Sequence, residues 1–221
     1  MNWSRWLIMP PMLALAAGLG YAVLSLPEQA PGLQVAVAEQ LDNSGVINPV
    51  TAVLLNFRGY DTLLEMVVLL LALLGVWSLG SQSAARPAVK PDLVLDVLTR
   101  LLVPLMIVVA AYLLWAGAHA PGGAFQAGAV LGAAGVLLVL SGWRPPARMM
   151  QWPLRVALVA GVLTFLAVAV LTLQSMGQLL EYPPAQAGAL IFIIEAAATV
   201  SIAVALAALF LAATSAAEGD Q

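Results

Sequence analysis

Of 221 residues, 62% are hydrophobic and 9% charged, with a mean hydropathy of +1.00 and a net charge of -3. A soluble domain usually carries about 25% charged residues, so this chain cannot cover itself with a polar surface and reads as an all-α integral membrane protein. Cysteine is absent and His119 is the single histidine, which excludes disulfides, thiol catalysis, Cys-ligated metal centres and His-rich metal sites. No G-x-S-x-G motif supports a hydrolase. No metal, cofactor or nucleic-acid partner is expected.

Crossing the hydrocarbon core takes roughly 20 apolar residues per helix, and six stretches qualify: about 6–26, 62–80, 93–115, 123–142, 153–173 and 188–213. The first has a weakly basic start and Pro10 and Pro11 inside its apolar part, and it reads as an uncleaved anchor rather than a secretory signal. Arg5, Arg86, Lys90, Arg144, Arg148 and Arg155 fall on one side of the six spans. The other side has Arg58 with Glu28, Glu39, Asp42, Asp61 and Glu181. The excess of basic residues marks the cytoplasmic side, so about six transmembrane helices with both termini cytoplasmic are expected. The polar linker 81–92, SQSAARPAVKPD, divides the chain into a two-helix segment, 1–82, and a four-helix domain, 83–221.

Residues 48–65, NPVTAVLLNFRGYDTLLE, carry a cluster of charge at the entrance to the second span. Asn48–Pro49 is turn chemistry, and Pro49 fits the first turn of a helix. Val50–Phe57 then makes about two turns with Val50, Val53, Leu54 and Phe57 on one side, a length suited to lying at the interface. Gly59 permits a break. Asp61 and Glu65 share a face of the following helix, and Arg58 lies within reach of Asp61. Two readings stay open: an interfacial anchor whose charges reach water, or an acidic entrance to a cation path.

In the last span, Glu195 lies seven residues from the start, roughly 10 Å deep at 1.5 Å per residue. A central acid costs about 2.5–3.5 kcal/mol on the insertion scale, and twelve Leu, Ile, Val and Phe residues return roughly 4–7 kcal/mol. Insertion tolerates Glu195 without explaining it. Thr199 and Ala203 follow on its face. The alternatives are an ion-path carboxylate or a structural hydrogen bond to a neighbouring helix.

The third span holds Asp96 and Arg100 at i, i+4, with Pro104 beyond them. Downstream, GAHAPGGAFQAGAVLGAAG makes a tight turn at Pro121, Gly122 and Gly123, beside His119. Ala124, Gly128 and Gly132 follow at four-residue spacing. This small-residue face admits a second helix at close range, and its breadth suggests partners beyond this chain.

Two stretches carry a family resemblance. Residues 98–128, LTRLLVPLMIVVAAYLLWAGAHAPGGAFQAG, resemble the MnhB domain, the B subunit of Mrp-type multisubunit Na+/H+ antiporters. The shared elements are Arg100 with the mid-helix proline, then His119, Pro121, Gly122, Gly123 and Phe125. Residues 43–75, with FRGYDT, resemble the C-terminal end of the A subunit, or its small two-helix equivalent in membrane-bound hydrogenases. The resemblance implies a natural fusion in the bacterial cytoplasmic (inner) membrane. Its partners would be the antiporter-like and small subunits of an Mrp-type or complex-I-like assembly. No lysine falls within a span, so the chain is not expected to pump alone, nor to be an enzyme.

The expected function is therefore an accessory subunit that supplies carboxylates to an outer-side ion path. Its candidate residues are Asp61, Glu65 and Glu195, with His119, Arg58, Asp96 and Arg100 as further candidates. Helix packing falls to Gly128 and Gly132, and Phe125 follows the turn. The alternative is a purely structural subunit of a related complex, hydrogenase-like or of the complex-I-like inorganic-carbon type.

Overall fold

The computed structural model describes residues 3–26, 32–78, 93–143, 146, 148–149 and 151–218. The 81–92 linker with Arg86, Lys90 and Asp92 lies outside them, as do Glu28 and Arg144. Two units divide the chain, Met1–Ala36 and Val37–Gln221. The first is built on α1 (Trp3–Leu24), a 22-residue helix that runs through Pro10 and Pro11. A short helix, α2 (Gln34–Gln40), crosses the division.

The second unit contains α3 (Pro49–Ala52), α4 (Gly59–Ser78), α5 (Leu93–Ala116), α6 (Ala124–Leu140), α7 (Trp152–Met176) and α8 (Ala187–Glu218). Among the described residues, α4, α5, α7 and residues Ala187–Ala212 of α8 are long and apolar enough to cross a bilayer. Shorter apolar helices at Met9–Leu24 and Ala124–Leu140 account for the first and fourth predicted spans. No strand occurs among the described residues. The fold is all-α and multi-pass.

At 17 residues, α6 reaches only about 25 Å. Its start is set by the turn that ends at Gly123. Gly123 has φ +108°, a conformation that a helix cannot use and that other residues rarely adopt.

The middle of the bundle is α8, which packs on α4, α6 and α7. Between helices in lipid the hydrophobic effect gives little drive, so close backbone approach and buried polar contacts decide the packing. Both are present. A Cβ placed on Gly128 would come within 2.8 Å of Ile202 Cβ and 3.1 Å of the Thr199 carbonyl, and one on Gly132 within 3.1 Å of the Ala203 carbonyl. On the other side of α8, a Cβ on Gly161 of α7 would meet Ser201 Cβ at 3.0 Å. The Ser201 hydroxyl donates to the Leu158 carbonyl. The glycine face of α6, read from sequence as a seat for another subunit, is thus filled by α8 of the same chain.

The core runs in three layers along the helices. One joins Ala52, Leu55, Phe165, Tyr182, Ile191 and Ile194. Met66, Ala124, Ala198 and Ile202 form the next. Leu73, Leu158 and Ala205 form the last.

Residues 49–57 depart from the expected two-turn interfacial helix. One turn of α3 is followed by a π-helical turn, Val53–Phe57. The apolar side faces outward. Thr51, Ala52 and Leu55 are buried, whereas Val50, Leu54 and Phe57 are exposed. In water the apolar stripe would turn inward; in lipid it faces out, and the small and polar side packs within. The Thr62 hydroxyl donates to the Leu54 carbonyl at 2.6 Å, supplying a partner where the chain breaks before α4.

Candidate functional site

The α5–α6 turn, residues 117–123, sits at the end of the bundle where α4, α6 and α8 begin. A helix leaves its last four carbonyls and first four N–H groups without partners inside itself. At the end of α5, the Leu113 carbonyl accepts from Gly123 N (2.8 Å) and Gly117 N (3.2 Å). The Ala116 carbonyl accepts from His119 N and Ala120 N.

Three turn carbonyls, of Gly117, Ala118 and Ala120, are taken by the segment before α4. Asn48 Nδ2 donates to Ala120 O at 2.8 Å and Gly117 O at 3.2 Å, and the Thr51 hydroxyl also donates to Gly117 O. The Ile47 and Asn48 N–H groups both donate to Ala118 O. Asn48 Oδ1 meanwhile accepts from Val50 N at 3.1 Å, capping α3. One side chain therefore starts a helix and locks a turn about seventy residues away.

Glu195 enters this turn from α8. It is 3% exposed. A Cβ on Gly123 would lie 2.8 Å from Glu195 Oε1, and one on Gly117 would lie 3.3 Å from it. Gly123 gives α6 no side-chain cap. The backbone N–H of Ala124 instead hydrogen-bonds the Glu195 carboxyl. A carboxylate at a helix N-terminus meets both the free N–H groups and the positive end of the helix dipole. The Thr199 hydroxyl donates to the Glu195 carbonyl at 2.8 Å, which keeps this polar stripe of α8 satisfied internally.

Asp61 and Glu65 lie on α4 and line a groove of about 960 Å³ between α4, α6 and α8. Gln126 and Phe125 of α6 share the lining, and Ile202 and Leu206 of α8 lie deeper. Arg58 forms an ion pair with Asp61, both partly exposed. Glu65 is exposed and has no ion-pair partner among the described residues. Gln126 of the groove comes near the same glycine as the buried acid: its Oε1 and Glu195 Oε1 would lie 3.7 and 2.8 Å from a Gly123 Cβ. Met66, next to Glu65 in sequence, shares a core cluster with Ala124, whose N–H bonds the Glu195 carboxyl. The two acids point different ways, Glu195 into the turn and Glu65 into the groove.

The other candidates stand apart. His119 is exposed, with its ring 5.9 Å from that of Trp115. Tyr112 continues this aromatic row, as at a membrane interface. Asp96 and Arg100 pair with each other through a 2.9 Å contact near the start of α5, which is the opposite end of the bundle. Pro121 is exposed on the turn, and a Cβ on Gly122 would meet the Leu113 carbonyl. Among the described residues no group of three or more His, Asp or Glu could hold a metal ion.

Near the site, burial pushes the Tyr182 phenol well above its usual range, and its hydroxyl has no hydrogen-bond partner among the described residues. Sequence reasoning missed Asn48 as more than a turn residue, and missed Thr51, Gly117 and Gln126 altogether. The spacing Asn48-x-x-Thr51 is the signal available for the first two, since it puts both side chains on one side of a helical turn.

Residues 94–216 match the family described as a domain related to the MnhB subunit of Na+/H+ antiporter. Residues 9–91 match the MbhE family, described as one of the subunits of MBH. The fold is similar to a chain of the membrane-bound sulfane sulfur reductase, an archaeal respiratory membrane complex. The TM-score is 0.71 at 23% identity, covering 95% of this chain and 97% of that one. It is also similar to a chain of the Mrp complex from Dietzia sp. DQ12-45-1b, with a TM-score of 0.65 at 22% identity, covering 94% of this chain and 26% of that one. No curated protein sequence matches.

Proposed function

The chain belongs to the family of domains related to the MnhB subunit of Na+/H+ antiporters, and from that premise we propose that it is an accessory membrane subunit of a multisubunit cation/proton antiporter of the Mrp type. It works beside antiporter-like and small subunits in the bacterial cytoplasmic membrane, with both termini inside. Its own part is to supply carboxylates to an outer-side ion path. Residues 1–82 and 83–221 act as its two domains, a division supported by separate matches over 9–91 and 94–216.

The observation that carries this reading is that both acids lie by the start of α6, Glu65 in a groove with Phe125 and Gln126 and Glu195 on the Ala124 N–H. Glu65 and Asp61 face an open groove that Gln126 also lines, and Glu195 is buried beside the Gly123 turn. An ionisable group within a membrane span is a functional candidate by default because its placement is costly. The role proposed for the chain is transport rather than catalysis.

Glutamine keeps the size of each acid and an acceptor oxygen but removes the charge. Glu65→Gln and Glu195→Gln, in complexes of normal composition, should lower cation/proton exchange measured in inverted vesicles. Unchanged exchange in both overturns the carboxylate role.

A second reading is favoured by one specific contact, the bond from Ala124 N–H to Glu195. If Glu195 only caps α6, the chain is a structural subunit of a related complex, hydrogenase-like or complex-I-like. Glu195→Gln then leaves exchange and assembly intact, and Glu195→Ala loses assembly.

A further inference from the structure

The groove between α4 and α6 raises a separate question of what fills it. Its lining is mostly apolar, with Ile202 buried and Leu64 and Val68 exposed, and Ala72 and Ala129 also line it. Alanines in the lining let a backbone approach closely, the usual feature of helix–helix contacts in lipid. A cylinder of helix diameter, about 10 Å, fills this volume with roughly two turns, and Asp61 to Ala72 is about 16 Å of α4. Glu65 sits within that length.

The charges set the occupant's chemistry. Arg58 is already paired with Asp61. His119 shares its stacking with Trp115, away from the lining. Arg100 is held by Asp96 near the start of α5, at the far end of the bundle. Glu65 is therefore a carboxylate at the edge of the bilayer, with a groove in front of it and no cation beside it among the described residues. A lipid chain would fill the apolar part and leave the acid unpaired. A second copy of this chain would bring another Glu65 rather than a cation.

We propose that the α4–α6 groove seats a transmembrane helix of a neighbouring subunit, whose Lys or Arg lies level with Glu65 and pairs with it. This rests on the reading of the chain as a subunit of a larger complex and adds where, and by what chemistry, one neighbour attaches. Small residues on the incoming helix meet Ala72 and Ala129, and its cation completes the polar rim.

The natural chain has no cysteine, so a single one can be placed at the exposed Ala129. In the intact complex in native membranes, Ala129→Cys labelled with benzophenone-4-maleimide should crosslink on illumination. The product expected is a transmembrane peptide of one other subunit that contains Lys or Arg. Adding Glu65→Lys should cut that product by more than about tenfold, because like charges in one interface repel strongly. Reversing the partner's cation to Glu should restore it.

Crosslinks only to lipid, to a second copy, within the chain, or to a helix without a cation overturn the proposal. So does a yield that Glu65→Lys leaves unchanged. The two readings fail separately. Loss of the crosslink with exchange still sensitive to Glu65→Gln removes the docking site alone, whereas a firm crosslink with insensitive exchange removes the ion path alone.

Discussion

The Glu195 carboxyl and Gly123 are fitted to each other. Oε1 occupies the space beside Gly123 that any larger residue would need for its Cβ, at a separation of 2.8 Å. Gly123 also holds φ +108°, so backbone and side-chain space both require glycine there.

Gly123→Ala should therefore destabilise the purified chain by about 2–4 kcal/mol, combining backbone strain with overlap. Thermal unfolding in mild detergent checks it. The double variant with Glu195→Ala should cost less than the two single losses added, by about 1 kcal/mol, because the overlap disappears with the carboxyl. Strict additivity would mean that the two groups do not touch.

Asn48 offers a second test, since its two side-chain functions can be separated. Asn48→Ala removes the donors to Gly117 O and Ala120 O and the acceptor for Val50 N. At about 0.5–1.5 kcal/mol per bond the loss is roughly 2–4 kcal/mol. Asn48→Asp keeps the cap on α3 but turns a donor into an anion facing two carbonyls, and it should be at least as damaging. Hydrogen exchange across 45–57 should rise in both variants, with α7 much less affected.

How far these features can be read from the sequence depends on the range of the interaction involved. Hydropathy located the six apolar helices, because a span is a property of about twenty consecutive residues. The pairs Arg58–Asp61 and Asp96–Arg100 follow from i, i+3 and i, i+4 spacing alone. Glu195 stands out as an acid in an apolar run, yet its attachment to Ala124 was invisible because it depends on which helix packs beside α8. The same holds for Asn48 and for the destination of the Gly128 face. The apolar side with Val50, Leu54 and Phe57 is legible in the sequence, whereas the π-helical turn Val53–Phe57 is not, because nothing in the local spacing marks it.

The Gly128 contact yields a prediction opposite to the one its sequence suggests. A small-residue face reserved for another subunit would, when filled, release that subunit and leave this chain folded. Because α8 takes the face, Gly128→Leu should instead prevent α6 and α8 from packing and sharply lower the amount of folded chain. Placed where Ile202 Cβ already lies within 2.8 Å of a first added carbon, leucine would exceed the usual overpacking cost of about 1–3 kcal/mol. Gly128→Ala should show the same defect more weakly. Fluorescence-detected size exclusion of the chain expressed alone reads the difference: a sharp peak for Gly128→Leu would contradict the packing.

Tyr182 is the group outside the spans whose burial can be followed by pH. Its hydroxyl has no partner among the described residues and the residue is 5% exposed, so burial disfavours the phenolate and raises its pKa. In the unfolded chain the phenol ionises near pH 10. Below that value both states hold the proton and this group adds no pH dependence. Above it the unfolded chain loses the proton first and gains stability, so the fold weakens as pH rises, by up to about 1.4 kcal/mol per pH unit. Tyr182→Phe should remove this group's part of the alkaline loss. At neutral pH it should be neutral or stabilising by up to about 1 kcal/mol, since an unpaired buried hydroxyl is deleted while the ring is kept. Unfolding curves between pH 8 and about 11 compare the two forms. An equally steep alkaline decline in Tyr182→Phe would mean that the phenol is wetter than its surroundings of Val46, Leu55 and Phe165 imply.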